Sequence, residues 1–194
     1  MKVISTFVLL TTGMLAQLWG DSPPLSKVDS GFLYSDLKAG DSREIILQKL
    51  RKSNFLQLYE EKDKELIKCA VRWDGFRYEL ICRLSDNQLK LCLIEGQKGW
   101  HPSFLEEVVH PQWRVLRARL AKAFGKQRHK KKFPRSEQIS SDELAGYVTD
   151  SWDLKDRLLV LAVRSFVTKD CCTDEMIEYF CCTLLIQPKT MTAH

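Results

Sequence analysis

From Tyr78 to Leu93 the chain repeats with period two around a turn-forming pair, and this pattern restricts the fold more than any other feature. Tyr78, Leu80, Cys82 and Leu84 fall on one side of an extended segment, with Glu79 and Arg83 on the other. Ser85-Asp86-Asn87-Gln88 follows, and then Leu89, Leu91 and Leu93 alternate against Lys90 and Cys92. A two-residue turn at Asp86-Asn87 predicts Leu84 opposite Leu89 and Cys82 opposite Leu91, so that the apolar sides coincide. In that register Cys82 and Cys92 point to opposite sides, which argues against a bridge between them. Upstream, Glu65–Trp73 reads as a further strand, joined to Phe76–Leu84 by Asp74-Gly75, a pair that tolerates the positive φ of a tight hairpin. A half-buried antiparallel meander is therefore the expectation for this part of the chain.

Helices are expected on either side of it. Asp41 is placed to cap a helix at 42–52, with Glu44 returning a bond to the cap and Ile45, Ile46, Leu47 and Leu50 as its apolar residues. Ser103 and Glu106 have capping-box spacing, and Pro111 suits a first helical turn. A break or restart is expected near His110-Pro111, with a helix running to about Phe124 and Gly125 ending it. Trp113, Leu116, Leu120 and Phe124 form its apolar stripe. The last third returns to strand character in Leu144–Trp152, Arg157–Val167 and Glu175–Gln187. The fold class is α+β: a mostly antiparallel sheet with helices packed on one face. Trp73-Asp74 and Trp152-Asp153 each precede a strong strand, which suggests two tandem α-β-β-β units. The layout is a signal peptide (1–20), an extended lead-in (21–36), one α+β domain (37–187, possible halves 37–100 and 101–187) and a tail (188–194).

The signal-peptide assignment rests on Lys2 followed by Val3-Ile4-Ser5-Thr6-Phe7-Val8-Leu9-Leu10, with cleavage expected between Ala16 and Asp21. Thr11, Thr12, Gly13 and Gln17 interrupt the run, so a membrane anchor is disfavoured. No other segment reads as transmembrane, and the exported protein is expected in the periplasm or outside the cell. Seven cysteines (69, 82, 92, 171, 172, 181 and 182) in an exported chain favour at least one disulfide, with an odd thiol left over. The doublets at 171–172 and 181–182 leave a bridge between them sterically open, while several cysteines also suit packed strands. No C-x-x-C occurs, so neither a redox motif nor a zinc ribbon is supported.

The segment Leu37-Lys38-Ala39-Gly40-Asp41-Ser42-Arg43-Glu44-Ile45-Ile46-Leu47-Gln48-Lys49-Leu50 resembles the opening of small bacterial envelope proteins of the BamE/SmpA type, related in fold to the β-lactamase-inhibitor protein. That pattern is a Gly before a short acidic-capped helix, then antiparallel strands around a DG or DN turn, here filled by Asp74-Gly75 and Asp86-Asn87. It covers about 37–125. Arg51-Lys52-Ser53-Asn54 stands where a Gly is expected, and the lipid-attachment Cys is absent. What the resemblance implies is therefore the fold, and protein binding rather than catalysis.

Charge supplies the candidate site. The formal net charge is +5, too small to specify a partner by itself. Yet Val108–Ser136 contains ten Lys and Arg and no Asp or Glu, which leaves the rest of the chain at −5. Arg114, Arg119, Lys122, Lys126, Arg128, Lys130, Lys131, Lys132 and Arg135 are the candidate binding residues, with Arg117 on the apolar border of the helix, where its stem can pack. Such a surface attracts an anionic lipid or polysaccharide, or an acidic protein. The competing expectation is a solvated helix and loop neutralised by acidic residues at 60–65 or 137–143. Nucleic acid is excluded by compartment and by the lack of a reading motif. His101, His110, His129 and His194 lack ligand spacing, and no phosphate-cradling loop or G-x-S-x-G occurs, so no metal or cofactor is expected. The alternative is a secreted hydrolase using a Cys or His, with Cys171 or Cys172 beside Asp174 as its nucleophile.

Overall fold

The computed structural model describes residues 32–189 except 54, 140–145 and 170–173. The expected signal peptide, most of the lead-in, Cys171, Cys172, the residues from 190 onward and the start of the strand expected at Leu144 lie outside the described residues.

Ten strands and three α-helices follow in chain order among the described residues. β1 (Phe32–Tyr34) and β2 (Leu37–Lys38) make a small hairpin at the end of the expected lead-in. α1 (Arg43–Lys52) comes next, then β3 (Leu56–Glu61), β4 (Leu66–Trp73), β5 (Phe76–Ser85) and β6 (Gln88–Glu95). A helical rod follows: α2 (Pro102–Phe104), a π-helical turn (Leu105–Val109) and α3 (His110–Phe124). β7 (His129–Lys130), β8 (Tyr147–Asp153), β9 (Arg157–Lys169) and β10 (Met176–Pro188) complete the chain. Eight strands form one antiparallel sheet in the order β3-β4-β5-β6-β10-β9-β8-β7. Thus β3 to β6 pair in sequence order, β7 to β10 do the same, and the two runs meet at β6 and β10. No described helix is long and apolar enough to cross a membrane.

The expected turns form for the expected reason. Asp74 and Gly75 take φ of 48° and 80°, Asp86 and Asn87 take 53° and 60°, and both pairs close two-residue hairpins. The register after the second turn differs from the one read in the sequence. Leu84 does face Leu89, but Arg83 then faces Leu91 and Cys82 faces Cys92, because Lys90 is an extra residue on β6. A one-residue bulge flips every later side chain to the other face. Cys92 and Ile94 therefore join the core, while Leu91 and Leu93 turn away from it. The bulge therefore sets Cys82 and Cys92 on the same side of the sheet, contrary to the expectation that they point apart.

The core is built from Ile67, Cys69, Val71 and Trp73 of β4, Tyr78, Leu80, Cys82 and Leu84 of β5, and the matching rows of β6, β8, β9 and β10. Ile46, Leu47 and Leu50 of α1 and Trp113, Leu116 and Leu120 of α3 belong to the same core. Ser42, rather than the expected Asp41, caps α1; its hydroxyl accepts from the Ile45 amide and donates to Glu44. Asp41 is engaged elsewhere, by the Lys38 amide and the Lys49 ammonium, both at 2.7 Å. Near His110-Pro111 the expected restart is seen, without a break in the helical backbone. The π-helical turn instead carries the backbone into Pro111, which lacks an amide hydrogen and crowds the preceding turn of an α-helix. Ser103 consequently lies inside the rod and bonds His101 instead of forming a capping box with Glu106. Gly96 lets rod and sheet approach: a Cβ there would lie 2.3 Å from Oε1 of buried Gln112, which accepts the Gln97 amide hydrogen at 2.9 Å.

Candidate functional site

The basic segment is divided by α3 into residues used within the fold and residues left to solvent. Trp113, Leu116 and Leu120 face the core, so positions 114, 118 and 122 form the outer crest at helical spacing, and all three are exposed. Arg117 and Arg119 lie on the two flanks and reach back to the sheet.

Arg119 holds Asp74 with two nearly parallel bonds, Nε to Oδ2 at 2.8 Å and Nη2 to Oδ1 at 2.9 Å, and its guanidinium lies 5.9 Å from the centre of the Trp73 ring. The bonds from Arg119 hold the Asp74 carboxyl below the usual aspartate range. On the other flank, Arg117 Nε donates to Asp150 Oδ1 at 3.0 Å, Nη2 reaches the Lys131 carbonyl, and the guanidinium lies 4.7 Å from the Trp113 ring centre. Asp150 is fully buried, and its Oδ2 has no hydrogen-bond partner among the described residues. Burial pushes its carboxyl above the ordinary range. Arg128 pairs with Asp153, whose carboxyl is held down first by Lys189 and then by Arg128. Arg135 pairs with Glu137 at 3.1 Å. Lys131 donates its amide hydrogen to Thr149 and sets its ammonium 5.0 Å from the Tyr147 ring centre.

Of the nine candidate residues, Arg119, Arg128 and Arg135 are thus in ion pairs and Lys131 lies against the sheet. Arg114, Lys122, Lys126, Lys130 and Lys132 are exposed and make no ion pair among the described residues. Among the described residues, the carboxylates that pair with the segment are Asp74, Asp150, Asp153 and Glu137; of these Glu137 belongs to an acidic stretch expected to do so, and Asp142 and Glu143 of that stretch lie outside the described residues.

A second feature escaped the sequence reading. On the strand face turned away from the core, Leu91, Leu93, Val160, Ala162 and Leu185 line a shallow groove of about 140 Å³, bordered by Arg83 and Arg164. Its lining comes from strands alone. The available signal was the nearly continuous apolar character of Leu158–Val163 and Phe180–Ile186, which marks strands apolar on both faces. The five free cations line neither this groove nor the wider depression beside Tyr59, Lys68 and Glu79.

The groups that a Cys or His hydrolase would use are not brought together among the described residues. Cys69, Cys82, Cys92, Cys181 and Cys182 are buried as free thiols. Burial raises Cys69 and Cys182, and pushes Cys181 up to about 11, all against thiolate formation. His101 bonds Ser103, while His110 bonds Glu106 and stacks on Phe133. No described group of His, Cys, Asp and Glu has metal-site geometry. No protein-family model matches the chain, and comparison with curated proteins and with solved structures gives no match.

Proposed function

We propose that this chain is an exported binding protein that holds an anionic surface, lipid or polysaccharide, against the crest of α3 and the segment that follows it. The observation that carries the reading is the division of the basic segment: Arg117, Arg119, Arg128 and Arg135 have carboxylate partners, while Arg114, Lys122, Lys126, Lys130 and Lys132 are exposed without one among the described residues. Flexible point charges on a convex surface suit many weak contacts with an extended polyanion better than a cradle for one small anion. Export rests on the Lys2-led apolar start. The BamE/SmpA resemblance agrees with binding rather than catalysis, and the strand order, two four-stranded runs each preceded by a helix, supports a tandem layout with helices on one face.

The test is sedimentation with vesicles containing an anionic phospholipid, and gel shift with an acidic glycan. Binding is expected to fall steeply with added salt, because exposed charges are screened over about 8 Å at physiological ionic strength. Reversal of Lys126, Lys130 and Lys132 to Glu is expected to abolish it while stability stays within about 0.5 kcal/mol, as for most exposed positions. Unchanged binding by the triple variant overturns the reading. Export is tested separately by intact mass of the protein from its native host, where retention of Met1–Trp19 refutes it.

The groove favours a second reading, an acidic protein seated on the sheet. Arg83 and Arg164 frame its apolar strip; Arg164 Nη1 lies 3.8 Å from Glu95, while its buried Nε has no hydrogen-bond partner among the described residues. Reversing Arg83 rather than the lysines would then remove binding, so the two surfaces separate in one set of variants.

A further inference from the structure

Cys82 and Cys92 stand directly opposite one another on β5 and β6, and Lys90 is the reason. Without that extra residue, Cys82 would face Leu91 and the two thiols would lie on opposite sides of the sheet. With it, both side chains point into the core and both are fully buried. Directly opposed residues of antiparallel strands have Cα atoms about 4.5–5.5 Å apart, inside the range of about 4.4–6.8 Å that a disulfide spans.

The other described cysteines are less well placed. Cys69 faces Leu80 on β5, so its relation to Cys82 is diagonal, with a typical separation of about 7–8 Å. Cys181 faces Arg164 and Cys182 faces Val163. Among the described residues, 82 and 92 are the one cysteine pair in direct register.

We propose that Cys82 and Cys92 are a disulfide-forming pair, closed during folding, which bolts β5 to β6 across the bulge. The proposal rests on the export reading only for the compartment, since disulfides persist where the surroundings are oxidising. The chemistry is exchange with a small-molecule or enzyme disulfide. The Cys82 thiolate attacks one sulfur of the donor, forming a mixed disulfide and releasing one donor thiol. The Cys92 thiolate then attacks the Cys82 sulfur and expels the second donor thiol. Two protein thiols are oxidised, one donor disulfide is reduced, and the two protein protons end on the released thiols. Complete burial of both sulfurs bars the donor from the folded core, which places the reaction before the core closes.

The test uses the full chain, synthesised cell-free with glutathione and glutathione disulfide, then alkylated in denaturant and mapped without reduction by mass spectrometry. The expected result is a cross-linked peptide containing Cys82 and Cys92 and the loss of alkylation at both. Full alkylation of both in protein with native circular dichroism overturns the proposal, and so does a link from Cys82 to Cys69 or to any of the four later cysteines. A Cys92→Ser chain supplies the control: Cys82 should remain alkylated rather than find another partner. Because these experiments set the redox conditions directly, failure of export leaves their outcome untouched, and failure of the bridge leaves export untouched.

Discussion

Replacing Arg117 by methionine should destabilise the protein by about 3–5 kcal/mol at neutral pH, the usual cost of stranding a buried charge. Methionine keeps much of the stem that packs beside Trp113 but removes the two bonds to Asp150 Oδ1. The carboxylate, already fully buried with Oδ2 unpartnered among the described residues, then loses its nearest counter-charge and keeps only the weaker attraction of Lys130. The sign of the pH dependence follows. Burial raises the Asp150 carboxyl in the folded protein, and losing Arg117 raises it further, while the unfolded chain keeps a value of about 3.9. Between those two values the folded variant holds a proton that the unfolded chain does not, so its stability falls as pH rises through the window and is flat above it. Urea melts are therefore expected to show a smaller deficit near pH 4 than at pH 7. Asp150→Asn in the same chain should recover most of the loss. A double variant no more stable than the single one would show that the pair is not what Arg117 contributes.

A loss of similar size is expected at Trp152. Its ring is buried in β8, and its Nε1 donates to the Gly125 carbonyl at 3.0 Å, at the residue that ends α3. Trp152→Ala should cost about 3–5 kcal/mol, from lost transfer energy and the cavity left behind. Trp152→Phe keeps an aromatic body but leaves the Gly125 carbonyl without this donor, a loss of about 1 kcal/mol for the bond alone. Urea midpoints in the order wild type, Phe, Ala check the argument. Equal loss in both variants would assign the whole effect to the hydrogen bond.

The strands were legible wherever one face is apolar and a positive-φ pair ends the run, as at Asp74-Gly75 and Asp86-Asn87. β3 was not: Leu56–Glu61 is an edge strand, short and charged at its end, so its period is weak. The Lys90 bulge was invisible because Leu89, Leu91 and Leu93 keep unbroken alternation in sequence while the backbone slips beneath them. The basic segment was legible as charge but not as geometry. Arg117 meets a carboxylate 33 residues away and Arg119 one 45 residues away, and no local pattern records such pairings. The α3 stripe did place Arg114 and Lys122 outside, since the helical period alone decides which positions oppose Trp113 and Leu120.

The meeting of β6 with β10 is the one strand pairing in the large sheet that joins its two sequential runs, through Cys92–Glu95 and Thr183–Ile186. Every other pair in that sheet joins neighbours in the chain, and loop closure makes such contacts the faster to form. A molecule caught before the last step carries two half-sheets, with bare edges at β6 and β10 that complement each other. They complement the same edges of a second molecule equally well. Refolding at high concentration is accordingly expected to produce a dimer in which the halves are exchanged, its fraction rising with concentration and vanishing on dilution before folding begins.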